Sequence, residues 1–136
     1  MIDKEIIKIA SNTENHGVLD NYTHFSKLKN SICGDIMRIY LIVKDEKITN
    51  FKYECESCIY CQASVSLLSR SAKNKSIEKV KNFAEKAKNH FEENTKSFDG
   101  EWKEFDKIMN KNNISRKECL LLPINTTLDA LDKKSL

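Results

Sequence analysis

The chain has 136 residues, a length that bounds it to a single domain, and its 40% hydrophobic content suffices for one ordinary core. Its net charge of +3 comes from 23 basic and 20 acidic residues that are interspersed, so no dense positive field is available to follow a nucleic-acid backbone. Three glycines and one proline argue against a turn-rich β-sandwich or a disordered tract and point to helices.

At the N-terminus charge alternates with isoleucine from Met1 to Ala10, without the continuous apolar run of a signal peptide. No stretch approaches the ~20 apolar residues needed to cross a bilayer. The expectation is a cytoplasmic protein with no membrane and no nucleic-acid partner. Thiols stay reduced in that compartment, and five cysteines cannot all pair within one chain, so metal or sulfur chemistry is indicated.

Ile2, Ile6, Ile9 and Ala10 recur at helical spacing and predict an amphipathic helix over 3–11, followed by a turn from Asn15 to Leu19. From Thr23 to Cys55 the pattern alternates: Met37, Ile39, Leu41 and Val43 share one face, and Phe51 and Tyr53 follow the polar turn Lys44 to Lys47. This predicts three antiparallel strands in a meander, the first over 23–29. The small residues and Leu pair of Cys61 to Leu68 suit a helix packed closely on the sheet.

Ser76 is placed to cap a helix carrying Ile77, Val80, Ala84, Ala87 and Phe91. Trp102, Phe105, Ile108 and Met109 mark another helix, capped by Asp99 and anchored by Trp102, and the lysine-rich surface of 73–111 reads as a solvated face. Ser115 to Glu118 fits a capping box that would set Cys119 in the positive first turn of a short helix. Pro123 is expected to end or kink that helix, with Thr126 and Asp129 opening a last one that carries Leu128 and Leu131. The fold class expected is α+β, a small three-stranded antiparallel sheet covered by helices, with a metal site at one end of the sheet.

Cys33 and Asp35 stand two apart at a strand entrance, where side chains of an extended segment point the same way. Cys58 stands at a helix start and Cys119 at a second one, so separate connections bring soft ligands to one end of the sheet. Three thiolates and a carboxylate satisfy tetrahedral zinc, and thiolates equally suit iron–sulfur clusters. Cysteine is also among the most buried residue types, so Cys55 and Cys61 divide evenly between inert core and function. His16, His24 and His90 have no matching spacing and read as surface or loop residues.

Three motifs together carry a family resemblance. Asn30-Ser31-Ile32-Cys33-Gly34-Asp35 resembles N-P-x-C-G-D, Tyr53 to Ser64 resembles F-x-G-x-G-C-x-I-S-x-A-S, and Arg116 to Pro123 resembles R-x-x-C-x-L-L-P. These belong to the U-type iron–sulfur scaffold proteins: SufU, IscU and the N-terminal part of NifU. The likeness spans nearly the whole chain, including Asn15 to Leu19, and implies one domain over 1–136 with a helical insertion around 74–112. It implies zinc or a transient iron–sulfur cluster at Cys33, Asp35, Cys58 and Cys119, with a PLP-dependent cysteine desulfurase and downstream sulfur or cluster acceptors as partners. It also implies a sulfur acceptor rather than a stand-alone enzyme.

Within the family the insertion, and Glu118 where the IscU branch has His, point to the SufU branch. Helix position and resemblance together make Cys119 the expected sulfur acceptor, with Arg116 placed to pair with Asp35 or hold the freed thiolate. Cys55 and Ser57 replace two family glycines and Cys61 a serine, producing a C-x-x-C-x-x-C run. That run supports a competing ferredoxin-like or structural cluster protein using Cys55, Cys58, Cys61 and Cys119, although Val65 stands where a ferredoxin has its fourth cysteine.

Overall fold

A computed structural model describes residues 3–91 and 97–132. In chain order the elements are α1 (Lys4–Ala10), β1 (His24–Lys29), β2 (Ile36–Lys44), β3 (Lys47–Glu56), α2 (Ile59–Ala72), α3 (Ile77–His90), two 3₁₀ segments (Gly100–Lys107 and Lys111–Arg116) and α4 (Lys117–Asp132). The sheet is antiparallel in the order β1-β2-β3, and with its helices it forms the expected α+β fold. Ile2, counted with the stripe of α1, lies outside the described residues, as do 92–96 of the insertion.

The meander follows from its alternation. Met37, Ile39 and Leu41 of β2 are fully buried beside Phe51 and Tyr53 of β3. A register shift between Ile42 and Val43 breaks the alternation, and Val43 is only partly buried at the edge of the core. Asp45 and Glu46 both have positive φ, 52° and 63°, as a two-residue hairpin loop with right-handed strand twist requires.

Helices α2 and α4 cover the sheet's inner face, and α1 packs on α2. Helix α2 approaches its neighbours closely because it buries serines there, each with a partner. Ser64 Oγ donates to Leu120 O at 2.7 Å, Ser66 Oγ to Asn12 O at 2.7 Å, and Ser69 Oγ accepts from Asn15 Nδ2 at 3.1 Å.

Three expectations about the C-terminal half need correction. Trp102 and Phe105 lie on a 3₁₀ segment rather than an α-helix, with Ile108 at its C-cap, and their spacing of three is the repeat that stacks side chains in that conformation. Asp99 stands at its cap without a side-chain bond. The capping box does not form, because Ser115 sits inside the second 3₁₀ segment, which runs directly into α4. Pro123 does not end a helix: α4 continues through it to Asp132, and Thr126 is interior rather than a cap.

Trp102 packs within an aromatic cluster. It stacks on Phe83 with centroids 4.2 Å apart, and Phe98 and Phe105 close the same cluster. His90 belongs to that packing and is no loop residue: its ring stacks on Phe98 at 4.6 Å, with Nε2 2.8 Å from Met109 O. His24 lies in β1, and Thr23 Oγ1 is 2.8 Å from its Nδ1. Ser76 caps α3, its side chain accepting from Lys79 N–H at 3.1 Å.

Phe83→Ala should lower the unfolding free energy by about 3–5 kcal/mol, as for truncation of a buried aromatic, and Ser76→Ala by about 1 kcal/mol for a lost cap. Urea unfolding followed by Trp102 fluorescence measures both, and equal losses would show that the ring cluster is not what secures the insertion.

Candidate metal centre

The turn between β1 and β2 is tied at its base. Asn30 N–H donates to Asp35 O at 2.8 Å, Gly34 N–H to Asn30 O at 2.7 Å, and Ile32 N–H to Asn30 Oδ1 at 2.9 Å. Gly34 has φ 77°, a conformation that a Cβ would strain. Cys33 and Asp35 therefore share a site because the chain reverses between them, and the pleated strand entrance expected from the spacing is replaced by this turn. Cys33 is exposed at the turn, whereas Asp35 is buried.

Cys58 is the N-cap residue of α2, with extended backbone and a side chain not used in capping. Its N–H donates to Asp35 Oδ2 at 3.4 Å, so the buried carboxylate faces the positive end of α2. Cys119 lies in the first turn of α4, buried, with its Sγ 3.6 Å from Cys33 Sγ. The ligand atoms of Cys33, Asp35 and Cys119 all lie within 4.8 Å of one another. A tetrahedral ion with bonds of about 2.3 Å to sulfur needs ligand sulfurs about 3.7 Å apart. The Cys33–Cys119 pair meets that spacing, and the donor set suits zinc.

The Cys58 thiol is not one of those three. Burial raises the Cys119 pKa strongly, and the neighbouring Cys58 and Cys33 thiols add to the rise. The charge of a metal ion is what would ionise Cys119.

Cys55 and Cys61 separate here. Cys61 is wholly buried, and burial pushes its thiol far above the usual range. Cys55 is half-buried near the end of β3, its pKa raised first by burial. Ser57 Oγ, in the same segment, is buried with no hydrogen-bond partner. Neither joins the one grouping of three or more metal-type ligand atoms found among the described residues. The ferredoxin-like reading thereby loses its geometry, since Cys55 ends a strand, Cys58 caps a helix and Cys61 enters the core.

Arg116 makes no ion pair with Asp35; its guanidinium lies over the Tyr60 ring, 5.2 Å from the centroid. No sequence pattern signals this cation–π contact, because Tyr60 belongs to the second motif and Arg116 to the third. Asn30 was legible only as part of a motif, although an Asn shortly before a glycine is a turn signal in its own right.

A thiol whose folded pKa is raised favours the fold below its unfolded value, and that contribution is lost as pH rises past it. Metal-free protein should therefore lose stability above about pH 9, the ordinary value for Cys61 being 9.0. Cys61→Ala should flatten that slope in urea midpoints. In alkylation of metal-free protein Cys33 should react first and Cys61 only on unfolding; early labelling of Cys61 would contradict its burial.

The pattern of the family described as "NifU-like N terminal domain" matches residues 1–98. A Thermotoga maritima protein named "Iron-sulfur cluster assembly scaffold protein IscU" is 30% identical over 135 residues, covering 99% of this chain and 95% of that protein. The crystal structure of a nitrogen-fixing NifU-like protein (N-terminal) from Brucella abortus superposes with TM-score 0.88 at 22% identity, over 95% of this chain and 90% of that one. The structure of a putative scaffold protein for the SUF system from Fervidobacterium islandicum gives 0.81 at 26% identity, covering 96% of each chain. By the extent of these matches, the chain belongs to the NifU-like N-terminal domain family.

Proposed function

We propose that this chain is a cytoplasmic iron–sulfur cluster assembly protein of the SufU kind, a single domain with its helical insertion around 74–112. It holds one zinc ion between Cys33, Asp35, Cys58 and Cys119, takes persulfide sulfur from a PLP-dependent cysteine desulfurase and passes it to sulfur or cluster acceptor proteins. The observation that carries this reading is the convergence of Cys33, Asp35 and Cys119 within 4.8 Å from separate connections, with Cys58 at their edge. The matched relatives place it in cluster assembly, and the zinc and SufU assignments rest on the donor set and on Glu118 standing where the IscU branch has His.

Zinc would supply a positive charge that favours the thiolate form of its ligands. Asp35 is the hard donor among soft ones, so it is the most readily displaced. The acceptor is Cys119. Its thiolate attacks the outer sulfur of the donor persulfide; a new S–S bond forms at Cys119, the donor S–S bond breaks, and the donor leaves as a thiolate. Arg116, held over Tyr60 one turn before Cys119, supplies a fixed cation beside the α4 start. A second reading, in which a cluster is assembled here as cargo, is favoured by the scaffold name of the Thermotoga relative.

Metal analysis should find about one zinc per chain, falling at acid pH as the thiols protonate, and Cys33→Ser should lose most of it. Asp35→Ala should stay folded with altered metal exchange. With a cysteine desulfurase and cysteine, mass spectrometry should place added sulfur on Cys119. Cys119→Ser should abolish this, and Arg116→Ala should slow it with zinc still bound. Undiminished sulfur acceptance by Cys119→Ser protein would move the role to another thiol, and visible absorption of protein purified in air would favour the cluster reading.

A further inference from the structure

Cys33 Sγ and Cys119 Sγ stand 3.6 Å apart, close enough to hydrogen-bond, and the two thiols differ sharply in access. Of the five thiols only Cys33 is exposed; Cys55 and Cys58 are half-buried, and Cys61 and Cys119 are buried. A small solute that reacts with sulfur therefore meets Cys33 first, while Cys119, 5% exposed in the first turn of α4, meets the sulfur beside it.

The turn that carries Cys33 is tied at its base and open at its tip. Asn30, Gly34 and Asp35 are joined by backbone bonds, but Ile32 beside Cys33 is 79% exposed. Beyond the chain neighbours of Gly34, no atom lies within 4 Å of the position its Cβ would take. A disulfide brings its sulfurs to about 2.05 Å, so this pair has to close by about 1.5 Å, a shift that the exposed Cys33 side chain and its turn have room to make.

We propose that Cys33 is a peroxide-modification site with Cys119 as its resolving thiol, so that a hydroperoxide converts metal-free protein to a Cys33–Cys119 disulfide. In the first step the Cys33 sulfur attacks the nearer peroxide oxygen. An S–O bond forms, the O–O bond breaks, and the far oxygen leaves as water or an alcohol with the thiol proton, so that Cys33 becomes a sulfenic acid. In the second step the Cys119 sulfur attacks the Cys33 sulfur. The S–S bond forms, the S–O bond breaks, and the hydroxyl leaves as water with the Cys119 proton. The thiol pair loses two electrons and the hydroperoxide gains them, so it is the sole oxidant. The bond takes both sulfurs away from a metal ion and, resting on the role of Cys119 set out above, withdraws the sulfur acceptor until a thiol reductant restores it.

The test treats chelator-stripped, reduced protein with an equimolar amount of hydrogen peroxide and maps the products by non-reducing peptide mass spectrometry. A peptide joining the Cys33 and Cys119 segments is expected as the main product, and Cys61→Ser protein should form it equally well. Cys119→Ser should leave Cys33 as a sulfenic acid that dimedone traps, and Cys33→Ser should slow peroxide consumption several-fold. Dithiothreitol should break the bond and restore zinc uptake. A main product that joins Cys58 to Cys119, or Cys33 oxidised beside a Cys119 that stays free, overturns the proposal and leaves the sulfur-accepting role standing. Disulfide-bonded protein that takes sulfur undiminished from a cysteine desulfurase overturns the acceptor role of Cys119 and leaves the modification site standing.

Discussion

The hydrogen bond from Ser64 Oγ to Leu120 O sets the position of everything at the metal centre. It is buried, and it fixes how far α2 and α4 can slide along one another. Cys58 caps α2 and Cys119 lies beside Leu120, so a shift of even one residue would carry the thiols apart. A larger side chain at Ser64 would force the helices apart, and an apolar one would leave a buried carbonyl without its partner, at a cost of about 1–3 kcal/mol. The helices thus position Cys58 and Cys119. Cys33 and Asp35 come from the β1–β2 turn, which is itself closed by the backbone bonds between Asn30, Gly34 and Asp35.

Two opposing electrostatic effects meet here. The helix starts of α2 and α4 present partial positive charge to the same small volume, which favours anionic ligands. Burial and thiol–thiol hydrogen bonding oppose ionisation of Cys119 more strongly, since the net shift of its pKa is upward. Helix ends alone contribute roughly 0.3–1 kcal/mol, too little to hold several thiolates together in a buried space. A bound cation would complete the balance. Solvent separates the remaining thiols, for Cys61 in the first turn of α2 is wholly buried, while Cys55 has an opening to solvent.

What could be read from the sequence was whatever depends on period and type. The alternation of Met37, Ile39 and Leu41 gave the sheet, and the three motifs gave the cysteines and Asp35 that converge. The reading of Cys33 and Asp35 as neighbours along a pleat reached the right proximity by the wrong route, because local spacing does not reveal a reversal that depends on Gly34 adopting φ 77°. Trp102, Phe105 and Ile108 fit helical spacing loosely and a 3₁₀ repeat better, a difference that period alone decides weakly over one or two turns. The contact of Arg116 with Tyr60 depends on how α2 meets α4, and no local pattern carries that information.

Pro123 was expected to break a helix, and it survives inside α4 because its surroundings hold the helix in place: Thr126 and Thr127 return their hydroxyls to Leu122 O and Pro123 O at 2.7 and 2.9 Å. A proline has no N–H to offer, and the carbonyl it would have bonded, four residues earlier, is that of Cys119. The backbone of Cys119 is therefore released from the rung that would otherwise tie it to the next turn. Downstream the helix is buried and doubly bonded; at Cys119 it has one rung fewer, and a thiol there rides on the part of the helix that yields with the least loss.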